Sequence, residues 1–313
     1  MRKYKIIMLL LSVVILLGIV VYANPIVLVG LWLKSNYLFL AAGFCAGFVA
    51  LLLGVLKWKV LMKDVGFVEL FPVQVLGFTI SNFTPGKAAE PAKAVIPKMV
   101  KGTPISSSLA SIIWERVSDV FSLILLSAVA ISSLSVTSNF FVAGAISLLV
   151  FAAIIIVSFS VLYSRRFGVW LFKFVRRFPV LRKLPGNFME LFYKVTISRK
   201  RLFSAFALAI ITWLLEGVVM YFALGAFGVY LNPLVLAGIV ALAVVIGIAS
   251  SLPGGLGTTE VVMVFLLGLQ GVEGTIAVAA AITFRFMTIW MVNFLGGLCF
   301  VHLSRKFDVK SVF

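Results

Sequence analysis

Pro85-Gly86-Lys87-Ala88-Ala89-Glu90 is answered far along the chain by Pro253-Gly254-Gly255-Leu256-Gly257-Thr258-Thr259-Glu260. Each stretch interrupts an apolar run with a proline and glycines, which end helices, and each closes on a glutamate. After each comes a glycine about a dozen residues on, Gly102 and Gly271, and then an arginine inside a long apolar segment, Arg116 and Arg285. The intervals from glutamate to arginine are 26 and 25 residues. Four features recurring at nearly equal spacing predict a duplicated unit, residues 67–134 and 233–303. In a very hydrophobic chain, duplicated units of this kind build a site at their interface.

Composition fixes the solvent. At 63% hydrophobic residues and a mean hydropathy of +1.20, the 313 residues carry more apolar surface than a soluble domain buries, so residues 1–313 read as one integral membrane domain. The 27 Lys and Arg outweigh 10 Asp and Glu, but they sit in short segments between apolar spans. That distribution points to the anionic inner-leaflet surface as partner and argues against nucleic acid. Cys45 and Cys299 lie in apolar runs and read as small packed hydrophobes, and His302 is a lone histidine. No metal or cofactor is expected from them.

Charge distribution and run length then give an expected topology. Arg2, Lys3 and Lys5 precede an apolar run over 6–21, too long for a signal peptide and without a cleavage site, so it reads as a first crossing from the cytoplasm. A loop with Lys34 leads to a second span, 37–56, closed by Lys57, Trp58, Lys59 and Lys63 as a cytoplasmic anchor. Residues 67–83 are apolar but short, and the returning segment ends at Lys98 and Lys101; a re-entrant hairpin from the cytoplasm keeps those bases inside. Spans at 106–133 and 140–163 follow, then a basic stretch over 164–201 that reads as an amphipathic segment on the inner leaflet. Residues 202–227 cross outward. Residues 234–250 and 258–269 form a second hairpin, whose returning limb of about 18 Å is too short for a core of about 30 Å. A last span, 277–303, leaves both termini cytoplasmic. The fold class is therefore all-α, with about six full spans and two re-entrant hairpins in an inverted repeat, in the cell membrane.

An arginine near mid-bilayer costs at least about 2.5 kcal/mol unless paired or hydrated, so Arg116 and Arg285 must face partners or water. Glu90, Glu115, Asp119, Glu216 and Glu260 are the available acids, with Glu115 and Asp119 on one helix face beside Arg116. Glu90 with Arg116, and Glu260 with Arg285, are expected to pair across hairpin and helix, as structural locks or as breakable gates. Gly254, Gly255, Gly257, Thr258 and Thr259 offer amides and hydroxyls at a helix start suited to an anion, and Gly86 and Lys87 stand at the corresponding first turn. The two halves differ, because Phe284 and Thr288 occupy the places of Glu115 and Asp119.

Taken together, Pro85-Gly86-Lys87-Ala88-Ala89-Glu90, Trp114-Glu115-Arg116-Val117-Ser118-Asp119, Leu252-Pro253-Gly254-Gly255-Leu256-Gly257 with Glu260, and Phe284-Arg285 resemble the flippase-like family named after the transmembrane region of lysylphosphatidylglycerol synthase. The resemblance covers most of the chain. It implies movement of a phospholipid or lipid-linked phosphate between leaflets. Synthase members add a soluble aminoacyl-transferase domain for which these 313 residues leave no room, so lipid aminoacylation is not expected. Two other classes compete: a membrane enzyme acting on lipid-linked sugars or phosphates through one of the acids, and a membrane subunit that positions a lipid-modifying enzyme. A homo-oligomer is compatible with each.

Overall fold

The computed structural model describes residues 2–84, 89–133, 164–175 and 197–306, with isolated positions at 149, 153, 156, 157, 160 and 193. The expected span over 140–163, residues 176–192 of the basic stretch, and Gly86 and Lys87 of the first turn lie outside them. Every regular element among the described residues is helical.

Helix α1 (Arg2–Tyr22) matches the first apolar run. Asn24 and Pro25 then start α2 (Pro25–Leu33) where the sequence suggested a loop. Asn24 Oδ1 caps Ile26 N, and the preset φ of Pro25 suits a first helical position. The pair bends by 75° at this point. Asn36 likewise caps α3 (Tyr37–Leu61), and after α8 (Arg199–Gly225) Asn232 and Pro233 start α9 (Pro233–Ala249). Three helices are long and apolar enough to cross a membrane: α3, α8, and a continuous 31-residue helix over Gly274–Ser304. The bent pair α1–α2 makes a fourth if it counts as one span. Helix α6 (Ile105–Ser133) has 29 residues but carries Glu115, Arg116 and Asp119 in its middle. The last long helix comprises α11 (Gly274–Arg285), a π turn (Phe286–Trp290) and α12 (Met291–Ser304). Short α7 (Arg165–Val175) is the described part of the basic stretch.

Helices α3 and α8 pack along their length and run antiparallel. The ring of Phe39 at the start of α3 meets Phe222 near the end of α8, and Asn36 N donates to Ala226 O at 2.9 Å. At the other end Leu61 and Ala205 share one apolar cluster. Helix α4 (Phe67–Asn82) begins just past the end of α3, and α9 just past the end of α8, so these two start from opposite ends of the pair.

Each then turns back. After α4 come a 3-10 helix (Glu90–Val95) and α5 (Ile96–Lys101). Lys101 at the end of α5 pairs at 2.9 Å with Glu69 in the first turn of α4, so the segment finishes beside its own beginning. The Gly66 amide donates to the other oxygen of the half-buried Glu69 at 2.9 Å. After α9, a turn over 250–257 leads into α10 (Thr258–Leu269), which packs back on α9. Gly102 and Gly271, the glycines of the duplicated pattern, both take positive φ, 69° and 81°, where the returning limbs end.

The packing is reciprocal. Helix α4 lies against α12, in the helix that follows the second hairpin, while α9 lies against α6, the helix that follows the first. The end of α4 meets the second turn, since a Cβ built on Gly254 falls 3.0 Å from the carbonyl oxygen of Asn82. Large apolar side chains point outward around the rim, among them Val68, Phe203, Phe294 and Tyr22, each at least 70% exposed, as a lipid-facing surface requires.

Candidate functional site

Arg116 is the twelfth residue of α6 and Arg285 the twelfth of α11, so the two guanidinium groups project from matching heights. Their surroundings differ.

Around Arg116 the structure gathers three cations and three acids. An arginine Nη lies 3.2 Å from Glu90, 3.1 Å from Glu115 and 2.9 Å from Asp119. Lys93, fully buried, reaches Glu90 at 2.9 Å, Glu115 at 2.8 Å and the Gln74 carbonyl at 2.8 Å, with its ammonium over the Trp58 ring. Lys57 pairs with Asp119, which also accepts from Trp213 Nε1 at 3.3 Å. Gln74 Nε2 donates to Glu115 at 2.6 Å. Every acid here therefore has two cationic neighbours: Arg116 with Lys93 for Glu90 and Glu115, and Arg116 with Lys57 for Asp119. Buried charge is tolerated when balanced in this way.

Three of these groups went unread in the sequence. Lys57 and Trp58, expected to anchor the cytoplasmic interface, are instead 2% and 0% exposed. They occupy the inward face of the last turns of α3, and the adjacent Lys59 alone reaches outward to the Lys63 carbonyl. Lys93, in the segment that returns to Lys98 and Lys101, is fully buried. A signal existed for one partner: Gln74 is a solitary amide in an apolar stretch, and such a group must find a partner when buried.

Arg285 sits in a closed pair. Its Nε donates to Glu260 at 2.5 Å and an Nη to Gly254 O at 2.8 Å, and 5% of the side chain is exposed. The other Glu260 oxygen accepts from Gly257 N at 2.7 Å, capping α10. This corrects the expectation of free amides at that helix start. Gly255 N and Leu256 N close turns onto Leu252 O and Pro253 O, and Thr259 N bonds Gly255 O. Glu260 is itself the anion at the positive helix end. Gly257 packs against Ile15 and Ser12 of α1 rather than facing a cavity.

Two adjoining cavities separate the arginines. One, about 150 Å³, is lined by Arg116, Asp119, Lys57, Asn82 and Phe78. The other, about 100 Å³, is lined by Arg285, Gly254, Gly255, Thr259 and Phe284. Trp213, Glu216, Thr288 and Ile289 belong to both. Thr288 lies in the π turn, an irregularity that recurs at functional sites. Glu90, Glu115 and Glu260 stand behind the walls, and Thr258 lines neither cavity. Arg116 differs from its cluster: 34% of its side chain is exposed, and its Nε finds no acceptor among the described residues. Among the described residues no group of His, Cys, Asp and Glu is arranged to hold a metal.

The sequence pattern of the lysylphosphatidylglycerol synthase TM region matches residues 9–296. Among similar curated proteins, two from Methanothermobacter thermautotrophicus, each described as a UPF0104 membrane protein, are 25% and 27% identical, covering 91% and 92% of this chain and 93% and 90% of their own length. A UPF0104 membrane protein from Pyrococcus horikoshii is 24% identical over 99% of this chain and all of its own. The turns, the buried acids and the two arginines thus belong to a membrane protein of the lysylphosphatidylglycerol synthase TM region family.

Proposed function

We propose that the protein moves an anionic phospholipid or a lipid-linked phosphate between leaflets, with the head group in the paired cavities and the tails left in lipid. The two hairpins, starting from opposite ends of the α3/α8 pair, with the end of α4 touching the second turn, are read as re-entrant halves of an inverted repeat. The observation that carries the reading is the state of Arg116. It is a cation open to a cavity, with an Nε free of acceptors among the described residues, inside a cluster whose other cations are buried.

The network explains how Arg116 serves such a role without stranding charge. A phosphate drawing the guanidinium into the cavity leaves Glu90 and Glu115 on Lys93, and Asp119 on Lys57. Each buried acid keeps a lysine, Glu90 and Glu115 sharing Lys93, so none bears the full cost of several kcal/mol of a wholly unpaired buried carboxylate. On the shared wall Trp213 Nε1 already donates to Asp119 and Thr288 Oγ1 to Phe284 O, so the guanidinium is the group that meets the phosphate, and a charge-assisted bond to phosphate is among the stronger contacts it makes.

Reconstitution into vesicles containing labelled phosphatidylglycerol, phosphatidylcholine or a polyprenyl phosphate, followed by transfer between leaflets, tests the function. Faster transfer of an anionic lipid than in protein-free vesicles is expected. Transfer at the protein-free rate for all three lipids would overturn the proposal.

A further inference from the structure

A further cleft lies outside the central cavities, between α6 and α8. A cleft of about 520 Å³ runs there, walled by Trp114 and Phe121 of α6 and by Leu202, Phe203, Phe206 and Ile210 of α8, with Arg199 at one end. The α8 residues recur at helical spacing on one face. From Arg199 to Ile210 the face rises about 16 Å, close to one leaflet of a hydrocarbon core of about 30 Å. Phe121 and Phe206 meet edge to face at 5.4 Å and close the floor. Phe203 is 77% exposed, so the cleft opens sideways to the lipid phase.

Its charge is concentrated at one end. Arg199, Lys200 and Arg201 occupy the first turn of α8, which contains no acid. Among the described residues Arg199 and Lys200 have no carboxylate partner, and Arg201 Nε donates to Ser198 Oγ at 3.3 Å. One cation at the end of an apolar slot one leaflet deep, with two more on the same helical turn, is complementary to one chemistry, a phosphate head group with an acyl chain below it.

We infer that this cleft holds an anionic phospholipid as a resident ligand, phosphate at Arg199 within the field of Lys200 and Arg201, and one acyl chain along Phe203, Phe206 and Phe121. The inference does not rest on the transport reading. The cleft floor is nonetheless continuous with the central cluster through Trp114, which precedes Glu115 and Arg116 on α6 and packs with Leu61, Val117 and Ala205.

Native mass spectrometry of the full chain, purified in detergent and exposed to equal phosphatidylglycerol and phosphatidylcholine, reads the preference. Selective retention of phosphatidylglycerol is expected. Near the membrane surface each basic residue is worth about a fivefold preference, so R199Q/K200Q/R201Q should lose most of it. That variant keeps the Arg116 cavity, so the loss would place the lipid in the cleft rather than at the central site. Ala207→Phe, which fills the cleft, should lower retention of both lipids, and brominated phosphatidylglycerol should quench a fluorescence component absent from Trp114→Phe. Equal retention of the two lipids by the unmodified protein, or selectivity unchanged in the triple variant, would overturn the assignment.

Discussion

The two hairpins place an arginine at the same height on the following helix, yet surround it in opposite ways. At Arg116 each neighbouring acid has a second cation, while Glu260 has Arg285 and the Gly257 amide. Redundant partners allow a charge to leave; a single closed pair does not. In the transport reading proposed above the first half carries the exchangeable cation, while the second half fastens its own turn through Arg285 and Gly254 O. Matching positions in two similar sequence stretches need not share chemistry, because the residues one turn away decide what an arginine can do.

Substitutions can break or sharpen this contrast. The largest loss is expected for Lys93→Met, which leaves two acids sharing one partly open arginine at a fully buried position; removing one partner of such a set costs about 3–5 kcal/mol. Thermal unfolding in detergent measures it, and K93M/E115Q should recover part of the loss through removal of the uncompensated charge. Arg285→Met should approach the same size, since Glu260 would lose its cation while 2% exposed. Gly254→Ala should cost about 1–2 kcal/mol, because φ is +61° and the added methyl approaches Asn82 O. Asn82→Ala, removing the 3.0 Å bond to Asn293 that ties α4 to α12, should cost about 1 kcal/mol. Arg116→Gln should cost less than Lys93→Met or Arg285→Met, since 34% of its side chain is exposed and each acid it touches keeps a lysine. A loss as large as that of Arg285→Met would remove the asymmetry.

Much of this frame could be read from residue order. The Pro-Gly breaks mark where α9 ends and α10 begins, Thr258–Leu269 appears with the expected bounds, and Gly102 and Gly271 end the returning limbs. The site was less legible. Lys57 beside Trp58 at a helix end has the composition of an interfacial anchor, and only the packing of α3 against α4 and α6 turns both inward. Lys93 follows Glu90 by three residues, but whether that pair faces solvent or the Glu115 carboxylate depends on how the hairpin folds back. The occupied amides before α10 were readable in principle, as Gly257 and Glu260 have the spacing of a capping box. The 75° bend between α1 and α2 follows from Asn24 and Pro25, a cap and a first-turn proline that also suit an interfacial exit.

Interleaflet transfer by Arg116→Gln, at equal protein density and with an unfolding temperature near that of the unmodified chain, tests the role of the open guanidinium most directly. Transfer of the anionic lipid should fall to the protein-free rate. Transfer at the unmodified rate in that well-folded variant would contradict the assignment of the head group to Arg116.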